Sequence, residues 1–447
     1  MGCRVLPEVK FARSIPLSRS NQTLDLVGPD GKLSRAARAR MTRTLSAIGD
    51  TALLDYHLAA MQDVGAPPLL TGNAVELLID GPSTYGAMFA AIETARNYIL
   101  VESFIFEEAV EGDRKLSIVL AEAARRGVRI HVLYDAVGSF TTEKEFLGSL
   151  TDAGITLCVF NPLNPLDDRF SGINQRDHRK IVVIDGELAF AGGINFSRAY
   201  QIASKQARRR GFSKQQSLDS AWRDTHISLR GTGATALQSL FAATWHKAEC
   251  AGELGSLNEQ ATTEGNTLVQ IVASTPDDAV NEIYATLLSV ITYAQKSIDI
   301  TMAYFVPDEQ LEHALMDAAR RGVSVRMVLP SYSDFSGVFY AGRAHYDELL
   351  DAGVRIFELK NAFLHSKSIV VDGVWASIGS TNFDWRSFVH NNEISVCVIG
   401  ESFAGAMDRA FAADLADSRE VTLAAWKKRG LRERMKELMW LPLQYWL

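Results

Sequence analysis

The stretch "HRKIVVIDGELAFAGGIN" (His178–Asn195) returns as "HSKSIVVDGVWASIGSTN" (His365–Asn382), with His, Lys, Asp, Gly and Asn at matching positions. Residues two apart on a strand share a face, so His178 and Lys180 project together, as do His365 and Lys367. The Asp185-Gly186 and Asp372-Gly373 pairs, each between apolar runs, predict a hairpin in each copy. An isolated His or Lys on a strand is usually structural or solvated. A pair that recurs in register argues for a shared task.

The repeat extends outward from these motifs. "AIETARNYILVESFIF" (Ala91–Phe106) is echoed by "VITYAQKSIDITMAYFV" (Val290–Val306), and "LAEAARRGVRIHVLYD" (Leu120–Asp135) by "LMDAARRGVSVRMVLP" (Leu315–Pro330). "LTDAGITLCVFN" likewise matches "LLDAGVRIFELK". Strands alternating with helices in each copy predict two tandem homologous α/β/α halves with mixed, mostly parallel sheets. We place a partly helical N-terminal extension at residues 1–65, the first half at 66–250, a polar linker at 251–265, the second half at 266–420 and a tail at 421–447.

Two imidazoles and two ammonium groups brought together make a cationic pocket suited to an anionic group such as a phosphodiester. Histidine supplies both nucleophile and proton carrier near neutral pH. A metal site fits poorly, because neither motif offers clustered carboxylates or zinc spacings and nearby lysines oppose a dication, so no metal or cofactor is expected. Asp185 and Asp372 lie an odd number of residues from their histidines and sit in turns, which weights them toward shaping the hairpins.

Other acids must then orient the histidines, and the repeat supplies them. Asp224 in "WRDTHISLRG" precedes Gly231 by the same spacing by which Glu393 in "HNNEISVCVIG" precedes Gly400. The small residues after each hairpin, Gly192, Gly193 and Asn195, then Gly379, Ser380 and Asn382, read as a phosphate cradle.

The net charge of -7 gives no global pull toward nucleic acid or an anionic bilayer, leaving any such attraction to local patches. Cys3, Cys158, Cys250 and Cys397 show no CxxC spacing and read as buried or free thiols of a reducing compartment. "MGCRVLPEVKFARSIPLSRS" has neither the apolar core of a signal peptide nor a lipidation pattern. No apolar run of about 18 residues marks a membrane span. A soluble or peripheral protein is expected.

The paired signatures His178-x-Lys180-x4-Asp185 with Gly-Gly-x-Asn and His365-x-Lys367-x4-Asp372 with Gly-Ser-x-Asn resemble those of the phospholipase D superfamily. "VESFIF", "YFVPD", "LHSKSIVVDG" and "GSTNFDWRSFVHNNEI" are similar to its cardiolipin synthase branch, in the form without N-terminal membrane spans. That resemblance implies an active site at the interface of the halves and catalytic signatures that include Asp185 and Asp372. It also implies a phosphatidyl-histidine intermediate and transfer of a phosphatidyl group between phosphatidylglycerol molecules. His178 would be the nucleophile and His365 the general acid and base, with Lys180, Lys367, Asn195 and Asn382 on the phosphoryl oxygens.

Hydrolysis of phospholipids or exchange of their headgroups shares this chemistry. A nuclease of the superfamily is disfavoured by the acidic charge and apolar tail, so no nucleic acid partner is expected. A catalytically silent scaffold is disfavoured by two intact motifs. The tail, "WKKRGLRERMKELMWLPLQYWL", is basic and aromatic, and it suits either an interfacial segment or a helix docked on the protein. The basic stretch "SKQARRRGFSK" (Ser204–Lys214) reads as either a headgroup contact or a solvated loop. The protein is expected to be peripheral on the cytoplasmic face of a bacterial membrane, with phosphatidylglycerol and other phospholipids as partners.

Overall fold

Strands Leu69–Ile79 and Thr267–Ser274 run antiparallel side by side and join the two halves into one continuous sheet. The structure is a computed structural model, and it describes residues 24–446 other than 49–51, 168, 171 and 361, with 6, 8, 9, 11, 16 and 17 before them.

The first half orders its strands Thr156–Phe160, Arg129–Asp135, Tyr98–Ser103, Ile181–Ile184, Leu188–Gly192, Thr225–Arg230 and Leu69–Ile79. The second repeats this with Arg355–Leu359, Ser324–Pro330, Ser297–Met302, Lys367–Val371, Trp375–Gly379, Asn391–Ile399 and Thr267–Ser274. Each half's part of the sheet is mixed, but only the first three strands of each series are parallel. The parallel share is smaller than the sequence pattern implied, because the hairpin after each His reverses the chain and the later strands keep alternating.

The helices explain themselves locally. Leu116, Val119, Leu120 and Ala123 line one face of Leu116–Arg125, and Leu311, Leu315 and Ala318 one face of Glu309–Arg320. The repeated Gly127 and Gly322 then turn the chain back at φ +91 and +93, where a Cβ would be strained. Helices Thr232–Lys247 and Glu401–Ala416 cover the other side, where Leu237, Phe241, Ala404 and Met407 share one core with strands of both halves. Helices Arg35–Ser46 and Leu53–Asp63 pack on the second half's core through Leu45, Leu53, Leu54 and Leu58.

Cys158 and Cys250 form a disulfide, which corrects the thiol reading for these two. Spacing rules miss it because a strand and the end of a helix 92 residues apart are brought together only by the tertiary fold. Cys397 is a buried free thiol, and Cys3 lies outside the described residues. The basic stretch is helical over Ser204–Arg210, and Arg208 pairs with Asp417 at 2.9 Å. Among the described residues no helix is long and apolar enough to cross a membrane.

Candidate active site

Each histidine sits where its chain crosses from one half to the other. Arg176–Asp177 pairs in parallel with Asn391 and Asn392 of the second half, and the His178 N–H donates to Asn392 O at 3.0 Å. The chain then returns to its own sheet as Ile181–Ile184. Phe363–Leu364 does the converse against Trp222–Arg223, and the His365 N–H donates to Arg223 O at 2.8 Å. The strand is therefore broken at each histidine rather than continuous through it.

That crossing decides which acid meets which imidazole, because Glu393 follows Asn392 and Asp224 follows Arg223. His178 Nδ1 lies 3.0 and 3.2 Å from the two Glu393 carboxylate oxygens. His365 Nδ1 lies 2.7 Å from Asp224 Oδ2. Each half thus places a carboxylate on the other half's histidine, with both Nδ1 atoms engaged and Nε2 left for chemistry. Lys180 and Lys367 are buried, their ammonium groups donating to the His178 and His365 carbonyls, and Lys367 Nζ also lies 3.0 Å from His365 Nδ1.

The small residues do something other than the sequence implied. A Cβ on Gly193 would fall 2.1 Å from Asp224 Oδ1, so this glycine makes room for the acid. Ser380, at the matching position, donates its hydroxyl to Glu393, and Asn391 Nδ2 donates to the same carboxylate at 3.1 Å. Gly193 and Ser380 therefore back the acids rather than forming a phosphate cradle. Gly192 and Gly379 lie against the strands that carry the acids. Asn195 and Asn382 are buried nearby, Asn195 Oδ1 accepting from the Ile105 N–H at 3.1 Å.

Asp185 and Asp372 stand at the far end of their hairpins and do not enter the site, which corrects their place in the catalytic set. Asp185 accepts backbone N–H bonds from Arg96, Asn97 and Tyr98 at 2.7–2.9 Å, and Asp372 from Gln295, Lys296 and Ser297 at the same range. They clamp the entry to the neighbouring strand, each from a left-handed turn position at φ 53 and 54.

Comparisons with known proteins agree with this duplication. A family model described as "Cardiolipin synthase, PLD-like domain" matches residues 88–204 and 287–415. A cardiolipin synthase of Geobacillus sp. (strain WCH70) is 36% identical over 84% of this chain and 72% of its own length. Cardiolipin synthase A of Pseudomonas aeruginosa (strain LESB58) is 38% identical over 82% of the chain and 71% of its own. The chain belongs to the cardiolipin synthase family of phospholipase D-like proteins. In fold it is also similar to a crystal structure of phosphatidylserine synthase from Haemophilus influenzae Rd KW20, with TM-score 0.59 at 12% identity, covering 85% of this chain and 98% of that one.

Burial sets the electrostatics of this cardiolipin synthase-family site. It lowers His178 to about 4, against the pull of Glu393, and holds His365 well below its ordinary value together with Lys367 and Lys180. Both imidazoles are therefore held to the neutral form at neutral pH. Burial also takes Lys180 down to about 7 and Lys367 to about 8. The acids part company. Burial raises Asp224 to about 6, whereas in Glu393 burial is outweighed by His178, Lys180 and Ser380, leaving it at about 2.

Three aromatic residues at the site have no repeat signal. The Tyr200 hydroxyl lies 3.0 Å from His365 Nδ1 and 3.3 Å from Asp224 Oδ2. The Trp222 ring centroid is 4.7 Å from that of His365, and Phe104 meets His178 edge-on at 4.9 Å. Counted along the repeat they face Ser387, Asn391 and Ala303, so a search for recurring residues passes over them. Among the described residues no group of His, Cys, Asp and Glu side chains is arranged to hold a metal ion.

Proposed function

We propose that the chain is a phosphatidyltransferase that forms cardiolipin from two molecules of phosphatidylglycerol. The observation that carries this reading is the pair of crossed imidazole–carboxylate contacts beside two buried lysines. His178 Nε2 attacks the phosphorus of the first lipid, so that a P–N bond forms and the bond to the headgroup oxygen breaks. His365 gives its proton to the departing glycerol. It then takes the proton of a hydroxyl on the second phosphatidylglycerol, whose oxygen attacks phosphorus and frees His178.

Lys180 and Lys367 carry the charge of the phosphoryl oxygens, with Asn195 and Asn382 nearby. Glu393 and Asp224 hold each imidazole in the tautomer with hydrogen on Nδ1 and stabilise its cation. The anionic phosphodiester itself favours the protonated form of His365 that the first step needs.

Purified protein incubated with phosphatidylglycerol vesicles should yield cardiolipin and free glycerol in equal amounts, resolved by mass spectrometry. Phosphatidic acid in place of cardiolipin would establish hydrolysis instead. Membrane attachment is peripheral in this reading. The Cys158–Cys250 disulfide favours a face open to an oxidising compartment over the cytoplasmic face expected from thiols. Maleimide labelling of both cysteines in intact cells without prior reduction would reverse that preference.

A further inference from the structure

Helix Leu431–Trp440 is packed inside out. The side turned to the protein is polar. Glu437 is buried against Arg429 at 2.9 Å and Arg343 at 3.8 Å, and Lys436 Nζ donates to the Tyr340 hydroxyl at 2.6 Å. Trp440 alone adds an apolar anchor, against Val306, Val338 and Ala341. The side turned to solvent is apolar: Leu431 is 73% exposed, Met435 62%, Leu438 69% and Met439 60%. These four fall within about 100° of the helix circumference. Exposed Arg432 and Arg434 flank the stripe on either side.

A helix held only for its fold would turn this stripe inward, since burying each such side chain is worth on the order of 1.5–3 kcal/mol. Its outward display, rimmed by arginines, matches a surface that is apolar below and anionic above. Lys427 and Lys428, also exposed, extend the basic rim.

The helix also stands next to the catalytic edge. It packs on Ser336–Ala344, which is preceded by Phe335, 48% exposed. Phe335 follows strand Ser324–Pro330, and Phe140, 75% exposed, occupies the matching position after Arg129–Asp135. Lys180 and Lys367 lie at that same edge, because Ile181, just after Lys180, pairs with Glu102, and Lys367 itself pairs with Met302, at the C-terminal ends of the parallel neighbours Tyr98–Ser103 and Ser297–Met302.

We infer that the solvent face of Leu431–Trp440 is a foot that docks on an anionic phospholipid bilayer, with Phe140 and Phe335 dipping beside the mouth of the site. The inference rests on the lipid-transfer reading above and names the surface that brings that site to its substrate. Apolar side chains enter the headgroup boundary while arginines meet lipid phosphates.

The test compares wild type with a Leu431→Asp/Leu438→Asp variant, whose exposed positions leave the fold intact by thermal melting. Flotation with vesicles of phosphatidylglycerol and phosphatidylcholine should show binding weakened at least tenfold in the variant. Arg432→Glu/Arg434→Glu should weaken binding to these vesicles and reduce its salt dependence, leaving the share that Lys427 and Lys428 supply. Turnover of a short-chain phosphatidylglycerol kept below its micelle concentration should stay unchanged in the variants.

Equal vesicle binding by wild type and the Asp variant would overturn the foot. So would a wild-type dimer, seen by sedimentation velocity, that the same variant dissociates without change in vesicle binding. Wild type that binds vesicles but transfers no phosphatidyl group would leave the foot standing and sink the function proposal alone.

Discussion

The two half sites share one skeleton and differ in what surrounds it. His178 has a single ring beside it, Phe104, and a mainly polar setting, since its partner Glu393 is held by Ser380 and Asn391 and stays ionised far below neutral pH. His365 has an aromatic one, with Tyr200 and Trp222 beside it and Asp224 pushed by burial to about 6. The repeat supplies two equivalent imidazoles, and the proposed mechanism gives them different roles that match these different surroundings. A permanently charged partner suits the histidine proposed to carry the phosphoryl group. A partner nearer its titration point suits one that passes a proton back and forth.

The largest effect tests whether the halves act as one unit. His178→Ala and His365→Ala should each lower turnover by roughly 10⁴-fold or more while the protein melts as before, as for groups that function together. Near-normal rates in either variant would mean that one half suffices. A quenched reaction of wild type should carry lipid on His178, and lipid on His365 instead would exchange the two roles.

Next come the acids. Glu393→Gln and Asp224→Asn should each reduce turnover by roughly 10² to 10⁴, the scale of acid–base support. If the roles differ as proposed, a donor lipid whose leaving group needs no proton, such as p-nitrophenol, restores adduct formation in Asp224→Asn but not in Glu393→Gln. Identical kinetics in the two variants would erase the distinction. Steady-state rates and adduct yield, measured by rapid quench, decide it.

A smaller effect is expected from the residues behind those acids. Gly193→Ala puts a methyl group against Asp224 Oδ1 and should cost about 10²-fold in turnover through misplacement of the carboxylate. Ser380→Ala removes one hydrogen bond to a charged group, about 1.5–3 kcal/mol, and should cost less because Asn391 still donates. Equal losses would show that the polar and aromatic settings are more alike than the contacts indicate.

The contrast also explains what was legible beforehand. Both halves, the His and Lys pairs and the two acids at equal spacing before Gly231 and Gly400 could be read because duplication writes each of them twice. Tyr200, Trp222 and Phe104 appear once, so recurrence is silent about them. The exchange of acids between halves was hidden because it depends on pairing between Arg176–Asp177 and Asn391–Asn392, a contact between distant segments that no local pattern encodes. Gly193 was misread for a related reason, since its neighbour in space is a side chain from another strand. The tail's composition was readable, but its orientation waits on Arg343 and Arg429.

The smallest effect concerns the lysines, both of which burial brings down toward the neutral range. Burial takes Lys180 to about 7 and Lys367 to about 8, so each loses its proton as pH rises through those values. Sulfate keeps its charge throughout, which makes it a clean probe of the empty site. Its affinity, measured by calorimetry, should weaken by about tenfold between pH 6.5 and 9 as the ammonium groups discharge. Lys180→Met should remove one share of that fall and leave the share that belongs to Lys367. Stability should move the opposite way. A lysine whose pKa is depressed on folding binds fewer protons in the folded state than in the unfolded one between about 7 and 10, so its share of unfolding free energy grows with pH in that window. A protein that holds sulfate equally well at both pH values would show that the two ammonium groups stay charged, and the electrostatic difference between the half sites would then rest on the acids alone.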